Sequence, residues 1–495
     1  MTRLTRAIRS VSAALPLAAS LVLAQDTTTI PPISNLPDAP SAAQIKLDGV
    51  PISVATSEVR RLTLDEAIQL GMEHNVQLIV ARQQQRSLHG QVGTALQAIT
   101  PNMSIQGTAN RAEISLAALG FSPTKSGRLL STFGIPASAI PNIVKVDTVT
   151  AQVNLQQYLF NMPAIEIYRA AKSQQQVAEL NTATVRGDVV LQVGTTYLSI
   201  LADAANVANN QALLKQEEEV LRQAQAQHDA GVGTNLDVLR ARSQFQQQQQ
   251  ALISAENALA KDKISLNRLI GLPANQSIEL TDIVPYSELA QMALPDAKNL
   301  AYQRRKDFLR LQAQIRVYER QRRAITYERL PALSFEGNYG VTGGYIPNAA
   351  TSGLYHGTFS AMAKLDVPIF AESRFRGDRQ VADAQLESLR NQIADLRVGI
   401  DQQLRSAMLD VTSTSERVKV AGSNVDLASQ ALRDTIDRYQ AGVDDNLPVV
   451  QAEAQLAAAQ SQYVTANFQY NQAKLQLARN TGVVETQYKT YLGRN

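Results

Sequence analysis

The chain has four histidines, His74, His89, His228 and His356, and they are scattered without the spacing of metal ligands or of a catalytic triad. It has no cysteine, which excludes thiolate ligands, disulfides and a lipid-modified N-terminal cysteine. No glycine-rich loop between a strand and a helix offers a cradle for phosphate. Neither an enzyme nor a cofactor nor a bound metal is expected. The chemistry that remains lies in acids beside two glycine-bearing segments, Ala230-Gly231-Val232-Gly233-Thr234-Asn235-Leu236 and Ala441-Gly442-Val443-Asp444-Asp445-Asn446-Leu447. Asp237 follows the first, and Asp444 and Asp445 lie within the second. Such carboxylates either cap the next helix or, where copies converge, attract cations and repel one another.

Those two segments belong to one long unit written twice. Gly231 and Gly442 are 211 residues apart, and so are Gly271 and Gly482, each closing a Gln- and Ala-rich stretch. Upstream, Thr100-Pro101 matches Leu330-Pro331 and Leu64 to Ala67 matches Leu294 to Ala297, at an offset of 230. The first copy therefore holds extra residues between Pro101 and Phe160, and duplication predicts an internal pseudo-twofold. The chain divides into a signal peptide (1–24), a Pro/Thr-rich extension (25–61), a first repeat (62–272), a linker (273–293), a second repeat (294–483) and a C-terminal tail (484–495).

Met1 to Ala24 carries Arg3, Arg6 and Arg9, then an apolar run from Val11 to Leu23, then Val22-Leu23-Ala24 before Gln25-Asp26. That is the pattern of a cleaved secretory signal peptide. A spanning helix needs about 20 apolar residues, and no segment supplies them. Without the leader's three arginines the 47 basic residues fall to 44, equal to the 44 acidic ones. Nucleic-acid binding loses its compositional support.

Four segments alternate with a period of two. Thr148 to Phe160 sets Val149, Ala151, Val153 and Leu155 against Thr148, Thr150, Gln152 and Asn154. Thr358 to Phe370 sets Phe359, Ala361, Ala363 and Leu365 against Ser360, Met362, Lys364 and Asp366. Pro101 to Arg111 and Pro331 to Gly340 are their partners. Each is about ten residues long, enough for a tilted strand to cross a bilayer's hydrocarbon. One such hairpin alone would fit an ordinary half-buried sheet better. Two at matching places in an exported, duplicated chain, neither with an adjacent strand, fit a membrane barrel. Four strands cannot close one, and open edges do not survive in lipid, so other copies must supply the rest. Two copies give a barrel filled by side chains, whereas three give twelve strands and a channel, which predicts a homotrimer. The loops from about Ala112 to Asp147 and Val341 to Gly357 then lie outside the cell.

Residues 163–228 contain no proline after Pro163, which allows a helix of roughly 100 Å at about 1.5 Å per residue. The counterpart runs over 372–439, where Leu389, Ile393, Leu396, Ile400, Leu404, Ala407 and Val411 recur at coiled-coil spacing. Shorter helices are predicted over Leu64 to Ala98, 235–270, Leu294 to Tyr327 and 446–480. End to end, each short pair matches one long helix, giving four helix widths per chain. The predicted fold is an α+β membrane protein, a long α-helical coiled-coil periplasmic barrel joined to a β-barrel of four strands per chain. The rival is a soluble periplasmic or surface-attached coiled-coil structural protein, and the strands tell the two apart.

In these features the chain resembles the TolC-like outer membrane efflux proteins, the outer membrane factors of tripartite export systems. The resemblance rests on Leu64-Asp65-Glu66-Ala67-Ile68 with Asn75, on Arg305-Lys306-Asp307, on Leu159-Phe160 and Ile369-Phe370, and on the tips Gly231 to Leu239 and Gly442 to Val450. It implies a trimeric outer membrane channel with a periplasmic tunnel, passive conduction in efflux or type I secretion, and a periplasmic adaptor linked to an inner membrane RND, ABC or MFS pump. Adaptor contacts carried over by position are Gly231, Val232, Gly233, Thr234, Gly442 and Val443. Where the family's best-known members place a ring of aspartates, this chain has Pro448 and Gln451. A periplasmic gate would then draw on Asp237, Asp444, Asp445 and Gln451.

Overall fold

The helices of the first copy start where the sequence supplies a cap. At α1 (Leu64–His74), Thr63 Oγ1 accepts from the Glu66 N–H at 3.3 Å while the Glu66 carboxylate accepts from the Thr63 N–H at 3.0 Å. At α3 (Met162–Asp229), Asn161 Oδ1 accepts from the Ala164 N–H at 3.0 Å and Pro163 sits in the first turn, where its missing N–H costs nothing. The computed structural model describes residues 58–115, 143–282, 286–290, 292–345, 355–441 and 446–493. The chain divides into two units, Met1–Lys46 and Leu47–Asn495, and all of these residues belong to the second. The signal peptide and most of the extension lie outside the described residues.

Among the described residues, β1 (Arg60–Leu62) precedes α1, α2 (Val76–Gln97), β2 (Asn102–Ser115), β3 (Ile143–Phe160), α3 and α4 (Asn235–Leu269). Then come β4 (Ile278–Leu280), α5 (Leu294–Arg304), α6 (Lys306–Tyr327), β5 (Ala332–Tyr345), β6 (Tyr355–Asp366), α7 (Glu372–Gln440), α8 (Asn446–Thr481) and α9 (Val484–Tyr491). The order α1-α2-β2-β3-α3-α4 recurs as α5-α6-β5-β6-α7-α8. The helix lengths run 11, 22, 68 and 35 residues in the first set and 11, 22, 69 and 36 in the second.

Two helices expected to be continuous are broken. The Leu64 to Ala98 helix stops at Asn75 (φ −66, ψ 126) and the Leu294 to Tyr327 helix at Arg305 (φ −62, ψ 116), the equivalent position. Asn75 Oδ1 accepts from the Gln77 N–H at 3.0 Å, and Arg305 is buried against both Asp307 oxygens (3.1 and 2.7 Å) and Gln403 Oε1 (2.8 Å). Apolar spacing carries on across one extended residue, so periodicity does not register the break. Gly482 (φ +82) follows α8 so closely that a Cβ there would lie 2.5 Å from the Arg305 nitrogen.

The strands also differ from their expected limits. All four extend further from the helices than the alternation indicated, shortening the expected loops, of which residues 116–142 and 346–354 lie outside the described residues. β6 stops at Asp366 rather than near Phe370, because Pro368 has no N–H for a ladder. The hairpins are not separate. They join in one antiparallel sheet, β2-β3-β5-β6, through a β3–β5 ladder that includes Asn154 opposite Asn338.

The helices pack as four widths, with the α2/α4 pair beside α3, then the α6/α8 pair, then α7. Their shared core, built around Ile68, Val193, Tyr197, Leu266, Ile400 and Leu475, lies where α1, α5 and α9 converge. The linker and the tail, to which the sequence assigned no element, are ordered by this core. The tail forms α9, and the linker supplies β4, which pairs in parallel with β1. Farther along the linker, successive residues reach α7 and α8 in turn. Tyr286 OH meets Ser415 Oγ at 3.0 Å, the Ser287 carbonyl accepts from Lys474 at 3.1 Å, Glu288 is 3.6 Å from Lys419, and the Leu289 N–H donates to Tyr470 OH at 2.9 Å. Burial pushes the Lys474 ammonium down to about 8.

Gly482→Ala combines left-handed backbone with contact against Arg305, so it should lower stability by about 2 kcal/mol or more. Gly377→Ala, whose Cβ would meet nothing within 4 Å in α7, should stabilise by about 0.5 kcal/mol or more. Thermal melts of the detergent-solubilised protein followed by circular dichroism compare the two.

Candidate functional site: helix tips and the two faces of the sheet

The first tip is a tight turn between α3 and α4. Gly231 takes φ +75, a conformation that penalises a side chain, and the Val232 and Gly233 N–H groups both donate to the Gln227 carbonyl at 3.0 and 2.9 Å. This closes the end of α3 and leaves Val232 81% exposed at the apex. Thr234 caps α4. Its hydroxyl donates to Asp237 Oδ2 at 2.6 Å and its own N–H also bonds that carboxylate, at 3.3 Å. Hydrogen bonds from the Thr234 hydroxyl and N–H, aided by Arg240, hold Asp237 below the usual carboxylate range. Asp237 takes part in the cap of α4, and its side chain remains half exposed beside the tip. Gly442, Val443, Asp444 and Asp445 lie outside the described residues, and Gln451 is exposed on the second turn of α8.

A pair that no sequence pattern announces links the same two helices farther up. Asp203 of α3 lies against Asp262 of α4, whose Oδ2 accepts from Ser199 Oγ at 3.1 Å. Burial first, and then the hydrogen bond and charge of Asp262, push Asp203 up to about 6. The two acids are 59 positions apart on different helices, so spacing carries no signal of the contact.

In the sheet, side chains segregate completely by face over the central rungs. One face carries Met103 opposite Leu155, Ile105 opposite Val153, Val153 opposite Tyr339, and Tyr339 opposite Phe359. The other carries Thr108 bonded to Thr150, Gln152 Nε2 donating to Thr358 Oγ1 at 3.4 Å, and Asn154 Nδ2 donating to Gln106 Oε1 at 3.5 Å. The apolar face is bare, with Ile105 84%, Tyr339 70% and Phe359 75% exposed. A continuous apolar surface of this extent needs a nonaqueous neighbour. Where it ends, two ion pairs continue the same face, Arg111 with Asp147 at 2.7 Å and Lys145 with Glu113 at 2.9 Å. Among the described residues no helix is long and apolar enough to cross a membrane.

The sequence pattern described as outer membrane efflux protein matches residues 67–272 and 298–483. The chain belongs to that family. It is similar to the alkaline protease secretion protein AprF of Pseudomonas aeruginosa, with 22% identity over 68% of this chain and 70% of that one. It is also similar to the pyoverdine export outer membrane protein OpmQ of the same organism, with 25% identity over 64% of this chain and 65% of that one, so it spans just under two thirds of OpmQ. Among solved structures, the Campylobacter jejuni CmeC outer membrane channel superposes with a TM-score of 0.69 at 14% identity, covering 92% of this chain and 94% of that one. The TolC-like resemblance and the combination of helical sector with β domain therefore hold. Membership places the efflux protein in the outer membrane, with the sheet as its membrane part and the helices as its periplasmic part. Its family is one of channels, of which no enzymatic activity is expected.

Asp203 gains a proton on folding, so its contribution to stability is present below about pH 4 and is lost as pH rises through about 6. Asp203→Asn should flatten that dependence. Urea midpoints at pH 5 and pH 7 test it, since parallel losses in wild type and variant would assign the slope elsewhere.

Proposed function

We propose that three copies of this efflux protein close into one conduit, which passively carries solutes from a periplasmic adaptor and an inner membrane pump to the outside. The observation that carries this reading is the sheet, with a lipid-compatible face, a polar face, and two edges, β2 and β6, that have no partner among the described strands. The helical sector ends on the same two sides. Along α7, Val398, Leu409, Val420 and Leu427 are exposed within about 40° of one line, and so are Leu239, Ile253 and Ile264 along α4.

The duplication supplies the geometry of closure. Met103 opposite Leu155 recurs as Leu333 opposite Leu365, so each strand has an equivalent in the other copy at the same register. β3 is equivalent to β6 and β5 to β2. The β3–β5 ladder within one chain is thus the template for a β6–β2 ladder between chains, in which Gln152 opposite Gly340 becomes Met362 opposite Asn110 of the next copy. Three such joints close twelve strands.

Adaptor docking is assigned to Gly231, Val232, Gly233 and Thr234 and to Gly442 and Val443. An RND, ABC or MFS pump would drive the flow. Asp237 of the first tip, with Asp444, Asp445 and Gln451 of the second, would gather at the narrow end and favour cations there. The relatives named for an alkaline protease and for pyoverdine mark the breadth of cargo that a polar lining accommodates.

A disulfide between Met362→Cys and Asn110→Cys should trap covalent trimers in membranes, and Leu409→Glu with Leu427→Glu should cut the trimer fraction at least severalfold by light scattering in detergent. Monomers that need no detergent would end the channel reading. Because the natural chain has no cysteine, Val232→Cys bearing a photocrosslinker reports contacts at the first tip alone, and adaptor adducts are expected there.

A further inference from the structure

We infer that Glu336, Lys364 and Asp366 form a charge-sorting ring at the periplasmic end of the barrel lumen, which makes this exit duct favour cationic over anionic solutes. The inference rests on the proposed trimeric channel and adds to it a second place, inside the barrel, where charge is read.

The argument starts from which face each charge occupies. Beyond the apolar band the outward face carries Arg111, Asp147, Glu113 and Lys145, and all four are consumed in two cross-strand ion pairs. On the lumen face of β5 and β6, Glu336, Lys364 and Asp366 have no hydrogen-bond or ion-pair partner among the described residues. They are also close together. Asp366 lies opposite Ala332, Lys364 opposite Ser334, and Glu336 opposite Met362, so the three occupy successive levels of one face. That spans about 13 Å along the strands at about 3.3 Å per residue, next to where the strands leave for α6 and α7. Lys364 and Asp366 are exposed and Glu336 is half-buried.

The surroundings make these charges decisive. Toward the outside the same face continues as Asn338, Gly340 and Thr342 on β5 and as Ser360 and Thr358 on β6, all neutral. The first copy is neutral at the matching levels, where β2 offers Asn102, Ser104 and Gln106 and β3 offers Asn154 and Gln156. In a closed trimer the charged hairpins therefore sit in three sectors separated by neutral ones. Two carboxylates and one ammonium per chain leave each sector net negative. Unpaired charges on a lumen wall raise the local concentration of counterions and set ionic preference. Lys364 moderates the ring and gives it a defined response to each substitution.

The test is the reversal potential of single channels in planar bilayers under a KCl gradient. Low salt is needed, since the Debye length grows from about 10 Å at 0.1 M to about 30 Å at 0.01 M. Wild type should prefer K⁺ over Cl⁻. Glu336→Gln with Asp366→Asn, which leaves Lys364 alone, should lower the permeability ratio, and Lys364→Gln should raise it above wild type. The same order should hold in an Asp444→Asn, Asp445→Asn background, which removes the acids of the second tip. Unchanged ratios in both backgrounds, with conductance intact, would overturn the ring while leaving the channel standing. Loss of conductance from wild type itself, with no trimer in the membrane, would instead overturn the channel reading.

Discussion

Backbone hydrogen bonding in lipid is the constraint on which the rest depends. A strand edge in hydrocarbon exposes N–H and C=O groups that no water can satisfy, each at a cost of several kcal/mol. β2 and β6 are such edges, fourteen and twelve residues long. The chain does not hide them with short strands or prolines, two of the devices by which soluble sheets blunt an edge. The long ladders instead require a partner of the same kind. Since β2 follows α2 and β6 leads into α7, a neighbouring copy that satisfied the sheet would also cover the apolar stripes of the helices.

Duplication makes that solution economical. The contact of α3 with the α6/α8 pair inside the chain is the repeat-equivalent of a contact between α7 and the α2/α4 pair of the next copy. One kind of joint, once covalently linked and once not, can then be used all the way round. The copies have diverged where equivalence matters least, in the length of the loop between strands and in the charges on the lumen face. The breaks at Asn75 and Arg305 occur in both copies, but by different chemistry. A short amide caps the next helix in one, and a buried guanidinium held by Asp307 and Gln403 stands at the other.

The linker braces two helices of the second copy. Its residues Tyr286 to Leu289 grip α7 and α8 alternately, which opposes separation of those helices at the level of the strap. Lys474 is fully buried there, with the Ser287 carbonyl as its acceptor and the Tyr470 ring 4.5 Å from its ammonium. A buried cation with those neighbours is costly, as its lowered pKa reflects. One of the strap's four contacts thus places a cation where burial opposes its charge.

The sequence by itself determined whatever has a period or a punctuation mark. The two-residue alternation of Val149 to Leu155 and of Phe359 to Leu365 fixed which face is apolar, the proline-free run after Pro163 fixed the long helix, and the repeat offsets fixed the pairing of elements between copies. Cap residues such as Thr63 and Thr234 marked helix starts to within a residue. What only the tertiary structure decided depends on contacts between distant positions. The joining of both hairpins through β3 and β5, the ordering of linker and tail against the core, and the meeting of Asp203 with Asp262 leave no local pattern. The same holds for the charges. Alternation already set Lys364 on the polar face, but only the register of the sheet pairs Arg111 with Asp147 and leaves Lys364 without a partner among the described residues.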